Sequence, residues 1–249
     1  MMLINSCNTL NQSGMKRITA IPLVVAAILV AGVFVSSSVH AGGGPGLDIG
    51  AAPAVITATS PTGKTHTFTL RNKFGGVFVV GCLLSNFEST TQGKSLTEIT
   101  ATPVFLECKE GFSEATVTMN GCKYKLKWTA ALQATVDITG CTAGKVMEIT
   151  FGACQVKIPE QNGLSHVTFQ NVAGATPHIN DKFTLSKVAY EQVGTCPGAN
   201  GEKRTDGLFE GTTTGKAFKY DKEVQVEIKG HKFQQYVDVN TSQYELKST

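Results

Sequence analysis

The chain has 249 residues, 41% hydrophobic and 16% charged, a composition that excludes a disordered chain. Its formal charge of +3 nearly vanishes once the first 41 residues are set aside, because Lys16 and Arg17 are the charged residues there and 20 basic side chains then face 19 acidic ones. A near-neutral chain without long blocks of like charge offers no electrostatic case for DNA, RNA or an anionic membrane as main partner.

Taken in chain order, the first element is a leader. Met15-Lys16-Arg17 is a basic start, Ala20 to Val35 is an almost unbroken apolar run, and Val39-His40-Ala41 is a small-residue site before Gly42. That order predicts a secretory signal peptide cleaved after Ala41, with residues 1–14 as an upstream extension. The competing reading is an N-terminal anchor helix, since Ile18 to Val35 just reaches spanning length. No cysteine adjoins the cleavage site, which argues against a lipoprotein. Residues 42–61 are rich in Gly, Pro and Ala and read as a flexible linker. Gly42-Gly43-Gly44-Pro45-Gly46 follows no strand, so it is not a phosphate cradle.

Beyond residue 61 the pattern is strand. Period-two alternation runs through His66 to Leu70, Ala115 to Met119, Tyr124 to Trp128, Val136 to Ile138, Cys154 to Ile158, Val167 to Phe169 and Val224 to Ile228. Asn120-Gly121, Asn162-Gly163 and Asn200-Gly201 supply positions that tolerate positive φ. No eleven-residue window after the leader has helical periodicity. The expected fold is therefore all-β, an antiparallel β-sandwich of short strands, either single or as two small Ig-like or Greek-key lobes in tandem. In the tandem form the lobes are residues 62–142 and 143–230, meeting near 142–145, with 231–249 as a C-terminal tail.

Removal of the leader takes Cys7 and leaves Cys82, Cys108, Cys122, Cys141, Cys154 and Cys196. Six cysteines in an exported chain read as three disulfides. No C-x2-C pair is present, which disfavours zinc, and no cysteine is left over as a catalytic thiol. A weak internal repeat orders them. Leu96 to Phe105 leads to Cys108 downstream of Cys82, and Phe183 to Tyr190 leads to Cys196 downstream of Cys154. Each is followed by a Gly-containing strand region, Ala115 to Trp128 and Leu208 to Tyr220. Matching units pair Cys82 with Cys108 and Cys154 with Cys196, leaving Cys122 with Cys141 around a hairpin. An unbroken ladder to Cys141 puts Tyr124, Leu126 and Trp128 out of phase with Val136 and Ile138. A one-residue bulge at Gly140 repairs this.

These segments carry a resemblance. The cysteine-ended strands, Thr102-Pro103-Val104-Phe105 with Cys108, Thr116 to Tyr124 with its Asn-Gly-Cys-x-Tyr core, and Cys154-Gln155-Val156-Lys157-Ile158-Pro159-Glu160-Gln161 are similar to an uncharacterised family of exported bacterial six-cysteine β-rich proteins. The likeness spans about residues 64–230. It implies export and a β-rich fold, and it brings no activity and no catalytic residues with it.

A direct search for chemistry finds little. His66, His166, His178 and His231 form no H-x-x-x-H or H-E-x-x-H pair, and no G-x-S-x-G elbow appears. His66 and His166 read as ordinary strand residues, while His178 with Asp181 sits in a loop-like stretch where a metal is conceivable. Glu98, Glu107, Asp137, Glu148, Glu160 and Glu210 are glycosidase candidates by residue type alone, and their default role is as solvent-facing strand partners. Trp128, with Phe105, Phe112, Tyr124 and Phe151, raises a carbohydrate platform, Trp128 being the candidate binding aromatic against its default place in a core. Asn240-Thr241-Ser242 is a glycosylation sequon by pattern only.

The sequence thus points to a secreted or cell-surface β-protein with a structural or binding role, using no cofactor and no metal, and without stable membrane insertion once its leader is gone. Its ligand classes are a surface polysaccharide, a lipid or a protein. The alternatives are a carbohydrate- or lipid-binding sandwich module, which needs an exposed aromatic strip or an apolar pocket, and an extracellular hydrolase whose carboxylates gather only in the fold. The acids and histidines are expected to lie scattered on the surface, with any binding done by apolar or aromatic surface or by sheet edges.

Overall fold

The computed structural model of the protein describes residues 44–175, 177–196, 201–219, 222–228, 231–237, 243–244 and 246–249. The leader, the cleavage site after Ala41 and the Asn240 sequon lie outside the described residues. Every element described is a strand: β1 (Leu47–Ile49), β2 (Ala54–Thr59), β3 (His66–Arg71), β4 (Val77–Thr91), β5 (Ser95–Leu96), β6 (Glu98–Glu110), β7 (Ser113–Thr118), β8 (Lys123–Ala130) and β9 (Gln133–Thr139). There follow β10 (Met147–Phe151), β11 (Cys154–Ile158), β12 (Gln161–Val172), β13 (His178–Gly194), β14 (Glu202–Lys219), β15 (Lys222–Ile228), β16 (His231–Val237), β17 (Gln243–Tyr244) and β18 (Leu246–Ser248).

The alternation does what its period requires. In β3, His66, Phe68 and Leu70 are buried while Thr67, Thr69 and Arg71 point outward. In β8, Tyr124, Leu126 and Trp128 point inward between outward lysines. The turn glycines also behave as expected, with positive φ at Asn120, Gly121, Gly163 and Gly201. The strands are longer than short-strand spacing implied: β4, β6, β13 and β14 have 15, 13, 17 and 18 residues and serve both ends of the molecule.

The fold is an all-β antiparallel sandwich with three disulfides, and its principal sheet closes on itself. One hydrogen-bonded circuit runs β2-β4-β6-β8-β9-β12-β13-β14 and back to β2. A second, stacked on the first, runs β3-β4-β6-β7-β10-β11-β13-β14 and back to β3. Closure leaves the long strands without a free edge along most of their length. Advancing four places round either circuit carries β2, β3, β4, β6 and β7 with β8 onto β9, β10, β11 with β12, β13 and β14, in chain order. The equivalent strands β6 and β13 even share a positive-φ residue, Glu107 (φ 53) and Lys187 (φ 60).

The internal repeat is therefore a feature of the fold, but it does not build two tandem lobes. Its halves join between β8 and β9 rather than near 142–145, and strands from 62–142 and 143–230 share one sheet and one core. Half a circuit buries no face by itself, so each half needs the other. The pairing derived from the repeat is the pairing observed: Cys82–Cys108, Cys122–Cys141 and Cys154–Cys196. The register keeps Tyr124 opposite Ile138 and Leu126 opposite Val136. The phase offset to Cys141 is absorbed just past β9, where Gly140 takes φ 68.

Two further expectations are corrected. The 42–61 linker contains β1 and β2, with Leu47, Ile49, Ala54 and Val55 buried, because short apolar runs flanked by glycine find strand partners. The 231–249 tail contains β16, β17 and β18. The last of these pairs with β1, which also pairs with β5, to form a small sheet whose Leu47, Ile49, Leu96 and Leu246 are buried. Gly46 and Thr249 clamp it by exchanging backbone hydrogen bonds of 2.8 and 2.9 Å.

Candidate binding surface

The core contains polar groups that alternation alone does not reveal. His66 is fully buried, ringed by Phe87, Phe105, Phe183 and Phe209 with centroids 5.6–6.3 Å away. Its Nε2 lies 3.1 Å from the Thr212 carbonyl and must donate to it, since a carbonyl only accepts. Burial lowers its pKa, against the weaker opposing pull of that hydrogen bond, so the ring is held neutral. Gly211 makes room for it, as a Cβ there would overlap the imidazole. Asp181, also buried, accepts from the Thr213 hydroxyl, and burial pushes its pKa up to about 7 despite that bond. The expectation of surface acids and histidines is thus corrected at His66, Asp137 and Asp181, all three buried. On β13, His178 and Asp181 stand three residues apart and so face opposite ways, which separates them as metal ligands. Among the described residues no group of three His, Cys, Asp or Glu gathers as a metal site.

The carboxylates singled out by type are dispersed into separate partnerships. Glu98 pairs with Lys125 at 2.8 Å, and Asp137 with Lys127 at 2.6 Å. Burial raises the Asp137 pKa, but the Lys127 hydrogen bond, the Gly163 N–H and the lysine charges outweigh it and hold the carboxyl below its ordinary value. Glu148 accepts from Gln155 and Glu160 from the Cys141 N–H. Glu107 and Glu210 lie on β6 and β14. Tyr190, also buried, accepts the Arg71 N–H at 2.7 Å and reaches the Arg71 carbonyl at 2.6 Å, latching β13 to β3. Burial first, then Asp206, pushes its pKa up to about 12.

Trp128 is not a binding platform. It is buried, stacks on Phe169 at 5.1 Å and donates from Nε1 to Ser248 Oγ at 3.0 Å. Phe105, Tyr124 and Phe151 are buried as well, leaving Phe112 as the exposed member of that aromatic set. The interior gap between Phe68, Tyr124, Met147, Leu185 and Phe209 is apolar and holds no more than a water-sized body, so it is not a ligand pocket.

What the fold does gather is exposed apolar surface. The turns β3–β4, β6–β7 and β10–β11 and the β13–β14 connection all lie at one end of the second circuit. Phe74 on the first turn is 75% exposed and Phe112 on the second is fully exposed. Between them, Val77 and Val79 point outward from β4, continued by Leu83 and Leu84. The two turns belong to adjacent hairpins, since β4 pairs with β6 as far as Val80 opposite Glu110. Phe74 is held rather than loose. Asn72 Oδ1 accepts from the N–H of Phe74 at 3.0 Å and of Gly76 at 2.8 Å, and Glu202 accepts from the Lys73 N–H at 3.1 Å.

The repeat supplies an internal control. The equivalents of these turns carry Gly152-Ala153 and, among the described residues, Thr195, Cys196 and Gly201; the outward residues of β11 are Gln155 and Lys157. The fold therefore does not require large apolar side chains at these places. Single exposed apolar residues are ordinary, but a set gathered on adjacent hairpins of one half of a repeat points to a surface that something covers. Sequence reasoning named Phe112 but missed Phe74, Val77 and Val79. The one available signal was Phe74-Gly75-Gly76, an aromatic placed in a glycine turn.

Three disulfides fit an oxidising compartment. Among the described residues no helix is long and apolar enough to cross a membrane. The chain matches no protein-family model, no curated protein and no solved structure.

Proposed function

We propose that this is an exported, non-enzymatic binding protein that engages its partner through the turn end of the sandwich, with Phe74 and Phe112 as anchors. The observation that carries this reading is the pair of exposed phenylalanines on turns of adjacent hairpins, the Phe74 turn held by the Asn72 and Glu202 side chains, flanked by Val77 and Val79 and without counterparts among the described residues of the other half of the repeat. A rigid scaffold presenting apolar anchors loses little conformational freedom on binding. Export is supported by the leader and by the three disulfides, which need an oxidising compartment to form. The hydrolase reading has less behind it, since among the described residues the carboxylate with a raised pKa, Asp181, is enclosed in the core with Thr213.

The test is cell association. Protein exported by its own host is expected to remain with the cell envelope, and the F74S/F112S double variant to appear in the medium. Equal partitioning of the two would overturn the assignment of this surface. Turnover on glycoside, ester or peptide substrates that a single carboxylate-to-alanine change abolishes would overturn the non-enzymatic part.

A further inference from the structure

The geometry points to a zwitterionic lipid bilayer surface as the occupant of this turn end, with Phe74 and Phe112 inserted below the headgroups; the inference rests on the binding reading above. Three observations select it. The exposed phenylalanines stand on turn tips at one end of the circuit, a placement suited to insertion, whereas a protein anchor usually needs a matching pocket and a sugar platform a flat exposed ring. Among the described residues of these turns Lys73 carries the one charged side chain, and its Nζ lies 5.0 Å from the centre of the Phe74 ring. The carboxylate beside the Phe74 turn, Glu202 on the Lys73 N–H, is paired with Arg204 at 3.0 Å, so no bare carboxylate accompanies the tip, and a lysine of that reach snorkels back to the phosphates.

Behind the tips, the outward charges are of both signs. Arg71 stands opposite Val77, and Lys109 is paired across the strands with Glu114. Apolar tips backed by a balanced charged collar match the acyl-then-headgroup order of a neutral bilayer. Such attachment is driven by burying apolar area and needs no anionic lipid, in keeping with the near-zero charge of residues 42–249.

Host-exported protein carrying F74W or F112W, mixed with phosphatidylcholine vesicles, reads this directly. Trp128 is buried and contributes a constant background. The introduced tryptophans are expected to shift to the blue and to be quenched by brominated lipid, unchanged from low to high salt. Vesicle partitioning of host-exported protein should fall about tenfold for F74S or F112S and about a hundredfold for both. The thermal midpoint should stay the same, because both side chains are already in water. Emission that stays at its aqueous position with vesicles present, or binding that vanishes at high salt, overturns the bilayer assignment. If the double variant nevertheless leaves the envelope, the binding surface stands and its partner is a protein or glycan. If it stays, both readings fall.

Discussion

Within the core, His66 is enclosed by four phenylalanines with its Nδ1 unpaired, while Asp181 has the Thr213 hydroxyl for company. Their titrations act on stability in opposite senses. The folded pKa of His66 is depressed below 6.5, so the unfolded chain takes up the proton first and stability falls as pH drops below that value. The folded pKa of Asp181 is raised from 3.8 to about 7, so stability is full below 3.8 and declines as pH rises through 7. Asp181→Asn is expected to leave stability at pH 4 nearly unchanged and to raise it at pH 8 by on the order of 4 kcal/mol. Urea unfolding at the two values measures this, and parallel pH profiles for the two proteins would contradict it.

Among the elements, β18 has three residues and yet holds several parts together. Leu246 is buried beneath the small sheet, Ser248 Oγ accepts from Trp128, and the Ser248 backbone exchanges two hydrogen bonds of 2.8 Å with Asn171. Removing residues 246–249 opens a cavity at Leu246 and orphans the indole N–H. Each term is separately costly, and together they amount to about 3–5 kcal/mol. Differential scanning calorimetry of the shortened chain should show a clearly lower midpoint, with red-shifted Trp128 emission. An unchanged melt would mean that β18 merely rests on the surface.

At the scale of the whole molecule, the disulfides enclose 26, 19 and 42 residues of sequence separation. On chain-entropy grounds each contributes about 3–4 kcal/mol, and their sum rivals the roughly 5–15 kcal/mol net stability of a domain. Cys122–Cys141 differs in kind from the other two. Cys82–Cys108 joins β4 to β6 and Cys154–Cys196 joins β11 to the segment after β13, each within a half, whereas Cys122–Cys141 ties the segment before β8 of one half to the segment after β9 of the other. Reduction is therefore expected to unfold the protein at moderate temperature, visible as lost sheet signal in circular dichroism. Full stability in reductant would refute this.

How much of this was legible beforehand depends on the range of the interaction. Alternation is local, so the inward faces of β3, β8 and β11 could be read directly, and so could the left-handed glycines. The cysteine pairing was legible because a repeat constrains distant residues in matched pairs, and Gly140 because a phase mismatch within one hairpin needs a residue that allows positive φ. Strand pairing across the chain is another matter. That β14 joins β2 and β3, closing both circuits, follows from which apolar faces can cover one another, and period two marks a face without naming its cover. For the same reason Phe78 and Val79 read alike in sequence, yet one is buried and the other is part of the exposed strip. His66 and Asp181 went inside because alternation set them on covered faces, a fate their polarity argued against. By itself, then, the sequence determined the all-β class, the inward faces of the alternating strands and the three disulfides. Tertiary structure decided the closure, the buried ionisable groups and the apolar turn end, because each depends on what a face meets across the core or fails to meet.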